Sequence, residues 1–381
     1  MTMIVLSGGF LMAVWLGYPL LLWLAKAFFF TKLQKPVIGH DAIKVSVIIA
    51  AHNESANLVA RIENIFSSRY PLELIEVVIA SDGSTDNTRE TVDGLKTRFG
   101  NVKLVEVFPQ GGRSNAHNQA VSQCWGEVLI FTDAETLFDV ECITRLVSVF
   151  SKANVGFASG VLLYRNADSN EVTQSVGIYW KYEFFLRKLE TEIGVYVFGT
   201  GACCAVRSGL YRAIPPTGDV DFTTPIDVVL QGYFCVHEPA ALAWDSMPET
   251  KAQEFRARVR MTAKNLYGTI TRWGLAGFLT RPIYSFVIFL HKIGRWLTPF
   301  AMISLFFGSV MALPYTFAII LVSGQVLFYG LAIAGMVGAP IPLSGAIFSF
   351  CLANAGFFVG VMKAIIGRVP RAYKPISQVG K

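Results

Sequence analysis

Val128-Leu-Ile-Phe-Thr-Asp-Ala-Glu-Thr136 joins an uncharged run of five residues to two carboxylates. A short apolar run of this kind predicts a strand covered on both faces of a sheet. Asp133 and Glu135 stand two apart, so on an extended chain their side chains leave from the same face. In an open parallel sheet, ligands gather beyond the carboxyl ends of the strands. Paired acidic oxygens there suit a hard cation such as Mg²⁺ or Mn²⁺ that holds a diphosphate. The same pair also suits the cap of a following helix, so this stretch alone leaves both readings open.

Working outward, Val45-Ser-Val-Ile-Ile-Ala50 and Leu74-Ile-Glu-Val-Val-Ile-Ala80 read as further buried strands, and Val102-Lys-Leu-Val-Glu-Val107 as another. An apolar-periodic helix is expected from about Leu58 to Phe66, and one from near Ser114 leads to the acidic strand. The second strand runs into Ser81-Asp-Gly-Ser-Thr-Asp-Asn-Thr88, a turn rich in residues that cap helices and bind polar ligands. Strands alternating with helices imply an α/β domain with a doubly wound, mainly parallel sheet.

The 381 residues are 53% hydrophobic and only 16% charged, against about 25% in an ordinary soluble domain. That balance calls for a membrane. Met3 to Phe30 is apolar with no charge before Lys26, long enough to span the roughly 30 Å hydrocarbon core. It lacks the basic start and small-residue cleavage site of a signal peptide, so an N-terminal transmembrane helix is expected over 1–32. Residues 41–266 have the composition of one domain with a sizeable core. Leu275 to Ile293 is apolar but broken by Arg281, Pro282, His291 and Lys292, so 267–293 reads as an interfacial amphipathic segment. Three transmembrane helices are expected within 294–366, followed by a basic tail over 367–381.

The net charge of +6 gathers beside the apolar stretches, at Lys26, Lys32 and Lys35 and again at Arg256, Arg258, Arg260, Lys264 and Arg272. Positive charge stays inside, which places the domain in the cytoplasm of an inner or plasma membrane. The same rule conflicts with three later crossings, because Lys363, Arg368, Arg371, Lys374 and Lys381 ask the C-terminus to stay inside too. Charge that tracks the membrane flanks, with no aromatic stacking module, argues against nucleic acid as a partner. The six cysteines show no Cys-x-x-Cys spacing and read as reduced, mostly buried residues.

Four strings then stand in order: Ser46-Val-Ile-Ile-Ala-Ala-His-Asn-Glu54, Ser81-Asp-Gly-Ser-Thr-Asp86, Gly112-Arg-Ser-Asn-Ala-His-Asn118 and Thr132-Asp-Ala-Glu135. Together they resemble the donor half of the inverting family 2 glycosyltransferases with the GT-A fold. With membrane segments on both sides, the chain is most similar to the polysaccharide-synthase branch, which includes cellulose, hyaluronan and poly-N-acetylglucosamine synthases. The resemblance implies a nucleotide-sugar donor, a UDP-sugar in that branch. It assigns Glu54 and Asp82 to the nucleoside, Arg113 to the diphosphate where the family usually has Lys, and Asp133 with Glu135 to the metal. Here Glu135 departs from the Asp of the family's Asp-x-Asp. His117 and Asn118 read as packing and capping residues.

In the second half, the resemblance implies an acceptor helix at Tyr179-Trp-Lys-Tyr-Glu183, with Trp180 offering a flat face, and a finger loop at Gly199, Thr200 and Gly201. Asp219-Val-Asp221 stands where the family has Thr-Glu-Asp, making Asp221 the candidate catalytic base with Asp219 and Asp227 as rivals. Arg260 falls on the arginine of Gln-x-x-Arg-Trp, a candidate clamp for the diphosphate. Ala257 and Met261 replace the Gln and the Trp, which puts long-chain processivity in doubt. The function implied is metal-dependent sugar transfer from a nucleotide diphosphate to a growing polysaccharide coupled to secretion, with a homodimer or an exporter subunit completing the path and membrane lipids around it. Single addition to a polyprenyl-phosphate or other lipid-linked acceptor remains open, as does a catalytically silent membrane scaffold or export subunit. Donor sugar, linkage and metal identity are not legible.

Overall fold

The computed structural model describes residues 1–28, 43–165, 171–246 and 250–369, with 171–179 as helix backbone. Lys32, Lys35, Arg371, Lys374 and Lys381, the ends of the expected N-terminal helix and basic tail, and the domain start at Asp41 lie outside the described residues.

Among the described residues, eight strands form one sheet in the order β3-β2-β1-β4-β7-β6-β8-β5. They are β1 Val45–Ala51, β2 Ile75–Asp82, β3 Val102–Val107, β4 Val128–Thr132, β5 Leu137–Phe138, β6 Val155–Tyr164, β7 Cys204–Arg207 and β8 Phe234–Asp245. β1 pairs in parallel with β2 and β4, and β2 with β3. β7 then runs antiparallel to both β4 and β6, while β6 and β8 are parallel. The donor-type half is thus parallel as the apolar runs predict, and the second half is mixed. Between β1 and β4 the strand order reverses direction, which opens a crevice at their carboxyl ends.

The domain's helices are α2 Ser55–Phe66, α3 Thr88–Arg98, α4 Arg113–Val121, α5 Cys142–Ser148, α6 Glu171–Glu192, α7 Val220–Leu230, α8 Lys251–Gly268 and α9 Gly274–Thr280. They follow α1, Thr2–Phe28, and precede α10 Pro282–Met311, α11 Thr316–Met336 and α12 Ser344–Ile365. Strand alternation divides the core. Val45, Val47, Ile49, Val77, Ile79, Val128 and Ile130 face Leu58, Ile62, Val92, Ile143 and Leu146 of α2, α3 and α5. Ile48, Val78, Ala80, Leu129 and Phe131 face the other way, into a cluster with Tyr18 and Leu22 of α1, Trp296 of α10 and Phe357, Val361 and Ala364 of α12. Domain and apolar helices therefore share a core.

Among the described residues, four helices, α1, α10, α11 and α12, are long and apolar enough to cross a membrane. The stretch expected as one interfacial segment over 267–293 is divided: a π-helical turn at Thr269–Trp273 and α9 precede α10, which begins at Pro282 and continues through a π-helical turn at Phe289–Ile293 to Met311. His291 and Lys292, which interrupt that stretch, share a partner with Arg295. Glu183 of α6 accepts Nε2 of His291 at 3.1 Å, Nζ of Lys292 at 2.7 Å and Nη1 of Arg295 at 2.8 Å. All six cysteines are free thiols.

Candidate active site

The loops beyond β1, β2, β3 and β4 enclose a cleft of about 590 Å³ lined by His52, Glu54, Asp82, Gln110, Arg113, Asp133 and Glu135, among others. Its walls are tied together by short polar residues. Asn53 takes a left-handed backbone (φ 59°), a conformation Asn tolerates better than most, and its Oδ1 accepts the backbone N–H of Thr85 at 2.7 Å. Asp82 accepts the N–H groups of Gly111 and Gly112, each at 2.8 Å. Gly112 sits at φ 84°, open to glycine at little cost, and turns the chain into α4 so that Arg113 opens the helix.

Sequence reasoning placed Glu54, Asp82, Arg113, Asp133 and Glu135 at one site, and the structure brings these five together around the cleft. Arg113 is ion-paired with Asp133. Glu54 accepts from Asn57 Nδ2 at 2.7 Å, and burial raises its pKa. Glu135 is pushed up to about 7 by partial burial and by the charges of Asp245 and Glu54. Asp245, at the end of β8, accepts the Thr136 hydroxyl at 3.2 Å and had no signal in the sequence.

Among the described residues, no three His, Cys, Asp or Glu side chains gather closely enough to enclose a metal ion. Two cleft carboxylates, Asp133 and Glu135, nevertheless match the demands of a small hard cation, which commonly takes one or two carboxylates and completes its shell with water and substrate phosphate. The residues present fit such a group.

The three rival carboxylates near α7 are separated by their partners. Asp227 is buried and takes both Nε and Nη2 of Arg272, at 2.6 and 2.7 Å. Asp219 takes Nζ of Lys264 at 2.6 Å. Asp221 makes no ion pair among the described residues, and burial, then the Asp219 charge, raise its pKa against the pull of Arg113. A Cβ placed on Gly201 would stand 3.5 Å from Asp221 Oδ1 and 3.8 Å from Arg113 Nη2. On Gly199 it would meet the Asp221 carbonyl oxygen at 2.9 Å and Phe157 Cζ at 2.8 Å. Gly199 therefore permits the close approach of its loop to the Asp221 backbone, while Gly201 stands at ordinary contact distance from both Asp221 and Arg113.

Other expected residues lie apart from that convergence. Thr200 is buried and accepts from Arg187 Nη1 at 2.8 Å. Trp180 packs in a ring cluster with Tyr164 and Phe184, at 6.1 and 5.5 Å between centroids. Arg260 lines a second crevice with Arg256 and Lys363 and is not among the residues lining the cleft. The cation that α8 brings to Asp219, at the start of α7, is Lys264, one turn further on, which the sequence showed only as part of a basic run. His117, packed edge-on to Phe131 at 5.0 Å, and Asn118, which bonds both backbone groups of Ile214 at 2.9 Å, are packing residues.

The model of "Glycosyl transferase family 2" matches residues 46–214, from β1 to just before Asp219. Poly-beta-1,6-N-acetyl-D-glucosamine synthase of Staphylococcus aureus (strain COL) is 26% identical over 237 residues, covering 60% of this chain and 56% of that protein. Its counterpart from Staphylococcus epidermidis is 27% identical over 225 residues, 57% of this chain and 53% of that one. The chain thus spans about half the length of the curated relatives it matches. Among solved structures, the mannosyltransferase PcManGT from Pyrobaculum calidifontis, in complex with GDP-Man and Mn²⁺, superposes with a TM-score of 0.70 at 22% identity, over 96% of this chain and 99% of that one. That likeness of fold takes in the apolar helices along with the sheet. Residues 46–214 are accordingly a glycosyl transferase family 2 domain of GT-A type, set among helices long and apolar enough to cross a membrane.

Proposed function

We propose that this protein is a membrane-embedded, inverting, metal-assisted glycosyltransferase that moves a sugar from a nucleotide diphosphate donor, a UDP-sugar, onto a growing polysaccharide. The observation that carries the reading is the meeting of an unpaired aspartate, Asp221, with the Arg113–Asp133 pair across Gly201. Glu54 and Asp82 line the part of the cleft where carboxylates accept from a base or ribose hydroxyls. Arg113, opening α4, neutralises the diphosphate together with the helix N-terminus. A divalent cation, held by Asp133 and Glu135, would supply further neutralisation of the leaving diphosphate.

Asp221 takes the proton of an acceptor hydroxyl as that oxygen attacks the anomeric carbon. The bond from that carbon to the diphosphate oxygen breaks, its electron pair leaves with the nucleotide, and the configuration inverts. The Gly199–Gly201 loop packs against the base, Gly199 on its backbone and Gly201 beside its carboxylate. Lys264 holds Asp219 away from the acceptor proton. Met261, 38% exposed, stands where a processive synthase would present an aromatic platform, which favours short products or single addition to a lipid-linked acceptor as the second reading.

We further infer three crossings and a domain on the cytoplasmic side. α12 lies lengthwise on α8: its Gly356 and Gly360 meet Arg258 and Thr262, and Lys251 sits 5.0 Å over the Phe348 ring. α8 carries Lys251, Glu254, Arg256, Arg258, Arg260 and Lys264, charges too costly for hydrocarbon. α12 therefore stays at the interface and the C-terminus stays with the domain, which relieves the conflict in the charge pattern. A C-terminal reporter active only in the cytoplasm supports this; one active only outside refutes it.

The transfer reading is tested with the purified chain in nanodiscs, a panel of nucleotide sugars, and Mg²⁺ or Mn²⁺. Metal-dependent nucleotide release with a sugar-bearing product is expected, and product size separates polymer from single addition. Failure to bind any nucleotide would refute it.

A further inference from the structure

Away from the cleft, a crevice of about 420 Å³ lies between α8 and α12, lined by Phe255, Arg256, Val259, Arg260, Val359 and Lys363. Three of these six carry positive charge, three are apolar, and none is a carboxylate. Close packing shapes it: a Cβ on Gly356 would stand 2.7 Å from that of Arg258, and one on Gly360 2.6 Å from that of Thr262. The neighbouring surface of α12 is apolar and open, with Phe358, Met362 and Ile365 exposed, and Ile366 just past its end is exposed too.

The cations of α8 divide into two kinds. Arg258 is paired with Glu254 at 2.6 Å and Lys264 with Asp219 at 2.6 Å. Arg256, and Lys363 across the crevice, make no ion pair among the described residues. Positive charge collected at the edge of an apolar helix surface is the arrangement that meets a phosphate at the level of lipid headgroups, with the long basic side chains covering apolar neighbours.

We propose that this crevice binds the phosphate of an anionic membrane lipid, with Arg256, Arg260 and Lys363 around the phosphate and Phe255, Val259 and Val359 against the first carbons of the lipid. None of these residues lines the cleft, so the inference stands whether or not the transfer reading holds.

The test is native mass spectrometry of the full chain released from detergent micelles containing equal phosphatidylglycerol and phosphatidylcholine, with and without excess inorganic phosphate. The parent is expected to retain phosphatidylglycerol in preference, and R256Q/K363Q to lose roughly tenfold of that preference. R256K/K363R should keep it, and nucleotide binding should be unchanged in both. No preference in the parent, an undiminished preference in R256Q/K363Q, or an equal loss in R256K/K363R would overturn the proposal. Complete displacement by inorganic phosphate would overturn it too, by showing a site for a free anion. If R256Q/K363Q fails to bind nucleotide, and so to fold, the parent's preference in the presence of phosphate decides.

Discussion

The carboxylates of the cleft and those under α6 have opposite surroundings. Glu183 is buried and faces Arg187, His291, Lys292 and Arg295. Burial alone would raise its pKa, yet Lys292, His291 and Arg187 hold it well below the usual carboxylate range. Glu190 accepts from Tyr18 and meets His291, so one ionic cluster joins α6 to α1 and α10. Glu135 and Glu54 in the cleft, and Asp221 near Arg113 at its edge, are all raised, since burial and neighbouring negative charge outweigh the nearby cations. Carboxylates saturated by cations hold this molecule together. Carboxylates left short of them are available for ligands and protons.

The comparison breaks most sharply at Asp221. Asp221→Asn removes the proposed base without adding bulk, and a loss of about 10²- to 10⁴-fold in transfer rate is expected with donor affinity unchanged. Calorimetric donor binding beside initial rates checks it. On the other side, Glu183→Ala leaves several buried cations without their anion, with an expected cost of about 3–5 kcal/mol in stability. Thermal unfolding in detergent measures this, and an unchanged transition would show that the cluster is not structural.

Between these extremes lies Gly199→Ala. Its new methyl would meet Phe157 and the Asp221 backbone below 3 Å, so the loop or the base must move, and a rate loss on the order of 10- to 100-fold is expected. Kinetics on the folded variant test it. The smallest effect sharpens the electrostatic reading. Because the Asp221 pKa is raised, the acid limb of its rate profile should lie above the ordinary carboxylate range, with activity falling as pH drops and the base is protonated. Asp219→Asn removes a like charge and releases Lys264, and both changes favour the ionised base. The acid limb should therefore move to lower pH; a shift upward would contradict the assignment.

Strand-borne features were legible in the sequence. β1, β2 and β4 are short apolar runs, and a strand delivers its last residues to a known edge, which placed Asp133 and Glu135 there; the family resemblance of the four ordered strings added Glu54, Asp82 and Arg113. Asp245 and Lys264 were not legible, since each reaches its partner across more than 40 residues with only local polarity to show for it. The same holds for His291, Lys292 and Arg295: a charge in an apolar stretch reads as a visit to the interface unless its partner, Glu183, more than 100 residues away, is known. Apolar length was equally ambiguous: α12, like α11, is long and apolar enough to cross a membrane, and its packing along the charged α8 is what motivates the interfacial placement proposed for it.

The most direct test of the central claim is single-turnover transfer by Asp221→Asn, with the donor saturating and its binding measured in the same preparation. The account predicts a folded protein that binds nucleotide sugar like the parent and fails to pass the sugar on. Transfer within a few-fold of the parental rate, at full donor occupancy, would show that Asp221 is not the base and that an unpaired carboxylate beside Arg113 is not what drives the reaction.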